Sequence, residues 1–171
     1  MSWLLGTVAV LVVAGLAVAL VGSAIRLTVT RQEAGLPPLP ACPPAGTALL
    51  SGQARYLGTT FAPSTVRRFS GRGLLGRGVV GLTLEDGGLR VEQASGPWCI
   101  PATDLRGVEV TSHHAGKEVY ADKVLVVDWQ LGPATLRSGF VLEEATAPAW
   151  AARLSPQVPR RDPGNPEGVP R

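Results

Sequence analysis

The chain opens on an unbroken apolar run and then changes period twice. From Ser2 to Ile25 (SWLLGTVAVLVVAGLAVALVGSAI) no residue is charged, and as a helix the run would measure about 36 Å against a hydrocarbon core of about 30 Å. It predicts a transmembrane helix over residues 2–25. A cleavable signal peptide, for which Ala17, Ala19 and Ala24 supply small residues, fits less well, because the run exceeds an h-region and neither Lys nor Arg precedes it. Residues 32–50 carry Pro37, Pro38, Pro40, Pro43 and Pro44, the pattern of a semi-rigid, Pro-rich linker holding the remainder a few nanometres at most from the bilayer.

Beyond the linker the apolar positions fall at a period of two, cut by turn residues. Strands are expected at residues 53–60, 78–84, 88–94, 97–100, 105–111, 124–131 and 134–142, about seven in all. Asp86-Gly87, Ser95-Gly96 and Gly132-Pro133 mark the tightest turns. Leu125, Val127, Trp129 and Leu131 share one face of their strand, and Leu136, Phe140 and Leu142 share one face of the next. After Glu144 the period lengthens: Thr146 is a candidate N-cap, Pro148 suits a first turn, and Trp150 with Leu154 forms an i, i+4 apolar pair. Residues 155–171 contain five prolines and few apolar side chains, and read as a disordered tail. The fold class is mainly β: a transmembrane helix, then over residues 51–154 a small barrel of about seven antiparallel strands, with one C-terminal helix closing an end.

Composition narrows this picture. A chain of 171 residues with 16 basic and 13 acidic side chains has no room for a large multidomain enzyme, and 45% hydrophobic residues exclude a disordered chain. Arg26 and Arg31 directly follow the apolar run. By the positive-inside rule they put the N-terminus outside and the domain in the cytoplasm, at the inner face of the cell membrane. Cys42 in the linker and Cys99 in an apolar strand make no disulfide framework, and two reduced thiols suit a cytoplasmic domain. Gly15, Ala19 and Ser23 recur at four-residue spacing, which permits a weak homodimer through the helix.

Candidate chemistry is sparse. Gly71-Arg-Gly-Leu-Leu-Gly76 matches G-x-G-x-x-G, yet it lies between two strands with no βαβ unit around it, so a flexible turn is the better reading and no nucleotide cofactor follows. His113-His114 on an extended chain point to opposite faces and suit an exposed strand end, not a metal site. The acidic pairs Glu85-Asp86 and Glu143-Glu144 sit at a hairpin and before a helix, and Cys99 reads as a buried small hydrophobe. No catalytic constellation, cofactor site or nucleic-acid motif is visible. An enzyme is not expected.

Seven strands followed by one helix is the order of pleckstrin-homology (PH) domains. Tyr56-Leu-Gly-Thr-Thr60, Gly73-Leu-Leu-Gly-Arg-Gly78, Ile100-Pro101, Ala115-Gly-Lys117, Val126-Val-Asp-Trp129 and Ser138-Gly-Phe140 resemble actinobacterial single-pass membrane proteins that carry a PH-like domain. Where such proteins have a more polar last strand, this chain reads Arg137-Ser-Gly-Phe-Val141. The resemblance implies a binding module. It also implies that the loop with Arg67, Arg68, Arg72 and Arg77, which has no acid between Phe61 and Gly78, is the first inter-strand loop, where phosphoinositide-binding relatives grip headgroups. The expected function is a membrane-anchored, non-catalytic module for a protein partner or anionic lipid headgroups. The alternative is an accessory subunit of a membrane transporter or biosynthetic complex.

Overall fold

The computed structural model describes residues 2–64, 66–115, 117–118, 124–142 and 146–159. Helix α1 (Ser2–Glu33) is followed by β1 (Ala48–Phe61), β2 (Arg68–Phe69), β3 (Gly78–Glu85), β4 (Gly88–Gln93) and β5 (Gly96–Pro101). After a 3-10 turn at Ala102–Asp104 come β6 (Leu105–Thr111), β7 (His113–His114), β8 (Lys117–Glu118), β9 (Val124–Leu131), β10 (Ala134–Leu142) and α2 (Ala147–Leu154), with a last 3-10 turn at Ser155–Gln157. Helix α1 is the one helix among the described residues that is long and apolar enough to cross a membrane. It runs past Ile25 because Arg26 to Glu33 contains neither Gly nor Pro to stop it, and it ends where Gly35 takes a φ of +81°.

The strands form an antiparallel sheet in the order β5-β4-β3-β1-β10-β9-β6, with β2 added to β1. Strand β1 is the shared hinge: Ala48 to Tyr56 pairs with β3, while Ala54 to Phe61 pairs with β10 across an irregularity at Tyr56/Gly58. The sheet is open but folds over on itself, since Trp98 of β5 stacks on Trp129 of β9, from its opposite half, with centroids 6.0 Å apart. The predicted inward faces are correct: Leu125, Val127, Trp129, Leu131, Leu136, Phe140 and Leu142 all belong to the core. Helix α2 closes one end with buried Ala147, Trp150 and Leu154.

Within this apolar interior lies a polar chain. The Trp129 indole donates to Ser138 Oγ at 3.0 Å, Ser138 Oγ shares a 2.7 Å hydrogen bond with Thr59 Oγ1, and Thr59 bonds the Tyr56 hydroxyl. Tyr56 also donates to the Leu74 carbonyl at 3.3 Å, tying the β2–β3 loop to the core. Burial raises the Tyr56 phenol above its ordinary value, so it stays a neutral donor. Ser138→Ala would strand the buried Trp129 N–H. It should lower stability by about 1–3 kcal/mol, seen as a lower midpoint in denaturant without a change in slope.

Several expectations are corrected. The proline-rich segment does not stand off as a spacer: Leu36 and Leu39 pack on the core, Pro37 lies against Gly132, and Arg90 Nη2 donates to the Pro43 carbonyl. It forms a strap along the sheet. The thiols are not free, because Cys42 and Cys99 form a disulfide with Cα atoms 5.3 Å apart. His113 is exposed as expected, but His114 is fully buried, with Nε2 3.1 Å from the Gly58 carbonyl and the ring seated over Gly139, where any side chain would collide with it. Desolvation lowers its pKa and favours neutral imidazole. The start of the expected tail is ordered: Val158 packs on the core and Gln157 Nε2 donates to the Glu85 carbonyl at 2.9 Å, while residues 160–171 and the pair Glu143-Glu144 lie outside the described residues.

Candidate functional site

The four sequence-predicted arginines lie on the stretch between β1 and β3, next to the C-terminal end of α1. Contacts from the helix explain their placement. Gln32 clamps the backbone, donating from Nε2 to the Arg68 carbonyl at 2.9 Å and accepting from the Ser70 N–H at 2.8 Å. Glu33 Oε1 accepts from the Arg72 N–H, and its side chain fills the space beside Gly71, where a Cβ would meet Cγ at about 2.6 Å. This is the physical reason for the first glycine of the apparent G-x-G-x-x-G motif. It admits a carboxylate side chain, not a nucleotide. Arg72 itself sits at φ +54°, a left-handed conformation disfavoured for a residue with a side chain, and the Glu33 clamp holds it there.

The guanidinium groups divide into two kinds. Arg68 Nη2 donates to the Ala115 carbonyl at 2.6 Å and Arg72 Nη2 to the Leu36 carbonyl at 2.7 Å, both part-buried, so these two fasten the loop to the β7 turn and to the strap. Arg67 and Arg77 are exposed. Arg67 stacks on Phe61 at 4.6 Å from the ring centroid, and Arg77 Nε reaches the Leu57 carbonyl at 3.1 Å, leaving each with further donors. Val66, Leu75 and Val79 add exposed apolar surface on the same stretch. Ser70 and Leu75 face Val21, Ala24, Ile25 and Val29 of α1 across a narrow cleft, which brings the loop alongside the end of the apolar run. Sequence reasoning found the charges but missed Gln32 and Glu33. Their only signal was a polar pair closing a long helix.

A second polar centre fixes the strap. Arg90 Nε and Glu85 Oε1 are 3.0 Å apart and nearly buried, and the guanidinium, by hydrogen bonding, holds the Glu85 carboxyl below the usual carboxylate range. On the outer face, Arg137 grips Asp128 through two hydrogen bonds of 2.7 Å, with Glu109 3.7 Å away. The first arrangement neutralises its own charge, while the second leaves one carboxylate in excess. Among the described residues no group of three or more His, Cys, Asp or Glu side chains is placed to hold a metal ion.

A seven-stranded antiparallel sheet folded over itself, hinged on its long first strand and closed by one C-terminal helix, is the architecture of PH-like domains. The family model for Bacterial PH domain-like proteins matches residues 34–155, most of the chain, and the chain belongs to that family. The match begins at the strap, in keeping with its packing as part of the domain. No curated protein matches the chain. PH-like domains are generally non-catalytic binding modules.

Proposed function

We propose that the protein is a membrane-anchored, non-catalytic binding module whose working surface is the arginine-bearing face between β1 and β3, directed at anionic lipid headgroups or at a protein partner lying on the membrane. The observation that carries this is the clamp of Gln32 and Glu33 on the loop backbone, which keeps Arg67 and Leu75 beside the end of the apolar helix, with Arg77 and Val79 exposed farther along the same stretch. An anchor, not a cleaved signal, accounts for a helix that continues unbroken from the apolar run into contacts with the domain. Facing anionic lipid, each arginine near the surface contributes about 1 kcal/mol.

Sidedness has two opposed arguments. Arg26 and Arg31 favour a cytoplasmic domain, whereas a disulfide joining strap to sheet favours an oxidising compartment. We take the second, because the arginine margin is two charges and cytosolic disulfides are rare. The domain then stands on the outer side of the cell membrane.

The surface can be tested with the full chain in nanodiscs. Amide exchange across residues 66–77 should slow when phosphatidylglycerol replaces phosphatidylcholine, and the effect should shrink several-fold in Arg67→Ala/Arg77→Ala. Equal exchange in both lipids removes the lipid arm and leaves a protein partner. A partner that copurifies from mild detergent and depends on residues 2–25, not on the arginines, would favour the accessory-subunit reading, for which the Gly15, Ala19 and Ser23 face is the natural contact.

A further inference from the structure

We infer that the protein holds one anionic phospholipid headgroup in a groove between the end of α1 and the start of the arginine-bearing stretch, with Arg31 and Arg67 as its paired phosphate ligands. The groove has a volume of about 380 Å³, and Thr28, Arg31, Gln32, Leu36, Phe61 and Arg67 are among its lining residues. That size suits a small polar ligand. Its composition is one-sided. Arg31 and Arg67 are its ionisable groups, and among the described residues neither is ion-paired to a carboxylate. The nearest acid in sequence, Glu33, is committed to the Arg72 N–H and the space beside Gly71. The Arg67 guanidinium lies over the Phe61 ring, and the Thr28 hydroxyl is bonded to the Ala24 carbonyl yet keeps a lone pair for a donor.

The level of the groove along the helix identifies the ligand. This step rests on reading α1 as a membrane span. With the apolar run ending at Ile25, Thr28 lies about 4.5 Å and Arg31 about 9 Å farther along the axis at 1.5 Å per residue. The headgroup layer on each side of the hydrocarbon is about 5–7 Å deep, so Thr28 lies within it and Arg31 just beyond, close enough for its long side chain to reach back to the level of the lipid phosphates. Two arginines, one from the helix and one from a loop held to it by Gln32, line the same groove and offer the planar donors that suit phosphate oxygens. A neutral zwitterionic headgroup would bring its own cation to a site that already has two. The groove therefore selects a net-anionic lipid. It also gives Arg31 a local role independent of topology.

The test uses the full chain in mild detergent, with bound lipid counted by native mass spectrometry against added phosphatidylglycerol or phosphatidylcholine. The wild type should retain one phosphatidylglycerol at concentrations where phosphatidylcholine is not retained. Arg31→Ala/Arg67→Ala should lose that adduct at least tenfold, while Arg106→Ala/Arg153→Ala, which removes the same charge elsewhere, should keep it. Circular dichroism and intact Cys42–Cys99 pairing confirm that each variant is folded. Undiminished retention by Arg31→Ala/Arg67→Ala, equal loss in both double variants, or equal retention of the two lipids overturns the inference. So does displacement of the lipid by millimolar inorganic phosphate, which would make the groove a site for free phosphate. If Arg67→Ala/Arg77→Ala abolishes the exchange effect while Arg31→Ala/Arg67→Ala keeps its lipid, the groove fails and the broader binding-module reading stands.

Discussion

Gly88→Ala is expected to destabilise the domain by at least about 3 kcal/mol, whereas Gly87→Ala, one residue earlier in the same hairpin, should cost less than about 1 kcal/mol. Gly88 has a φ of +131°, a region that residues with side chains rarely enter. A Cβ there would also meet backbone: it would lie 2.8 Å from the Ala102 nitrogen and 2.9 Å from the Pro101 carbonyl carbon, and closer still to the Ile100 oxygen. None of these can turn aside as a side-chain tip would, because Gly88 is paired with Pro101 in the β4–β5 ladder and the Ala102 N–H donates to the Gly87 carbonyl at 2.9 Å. Relief requires β4 and β5 to separate, which disturbs the stacking of Trp98 on Trp129. At Gly87 a Cβ meets nothing within 4 Å and φ lies outside the positive region. For a domain of this size the Gly88 variant should melt roughly 10–20 °C lower, and a scanning calorimeter comparing the two variants decides it. Equal melting temperatures would mean that the hairpin can shift without cost to the core.

The same hairpin illustrates what sequence patterning can read. Asp86-Gly87 flanked by alternating apolar residues signals a turn from local chemistry alone, and the turn is there. That Gly88 is the demanding glycine depends on how Pro101 and Ala102 return past it, which no local pattern encodes. The strands of β9 and β10 were readable because Leu125, Val127, Trp129, Leu131, Leu136, Phe140 and Leu142 fall at period two toward the main core, although Val124 and Val126 of β9 are buried as well, in a second small cluster with Leu57. His114 was not. Its burial needs the space left by Gly139 on β10, the Gly58 carbonyl on β1 as a hydrogen-bond partner, and a hairpin that folds back over them. The strap was hidden for a related reason: prolines dominate its composition, while the residues that attach it, Leu36, Leu39 and Cys42, are few and unperiodic.

The arginines show a different limit. Their clustering was legible as charge, but guanidinium groups that fasten a loop and those that face solvent look identical in a sequence. Arg68 and Arg72 find carbonyls on Ala115 and Leu36, and those carbonyls come from segments distant along the chain. Arg67 and Arg77 remain outward. A charge cluster is therefore better divided by its acceptors than counted as a whole, and the pair left facing solvent carries the binding proposal.

In intact cells, a maleimide that cannot cross membranes is expected to label an Asn165→Cys variant before permeabilisation, with Cys42 and Cys99 unreactive until a reductant is added. The expectation follows from the disulfide. Cytosolic thiols are kept reduced, so a stable link between strap and sheet belongs on the oxidising side. Its loss should matter to stability as well: closing a loop with a sequence separation of 57 restricts the unfolded chain by about 4 kcal/mol, so Cys42→Ser/Cys99→Ser should melt well below the wild type. Part of that loss falls on the strap, which keeps the contacts of Leu36 and Leu39 and the Arg90 bond to the Pro43 carbonyl but no covalent attachment. Label that appears only after permeabilisation, or two thiols that react without reductant, would return the domain to the cytoplasm and restore Arg26 and Arg31 as the determinants of topology. The binding face would then look onto the inner leaflet. Its geometry relative to α1 would be unchanged, because Gln32 and Glu33 fix the loop to the helix on whichever side the domain stands.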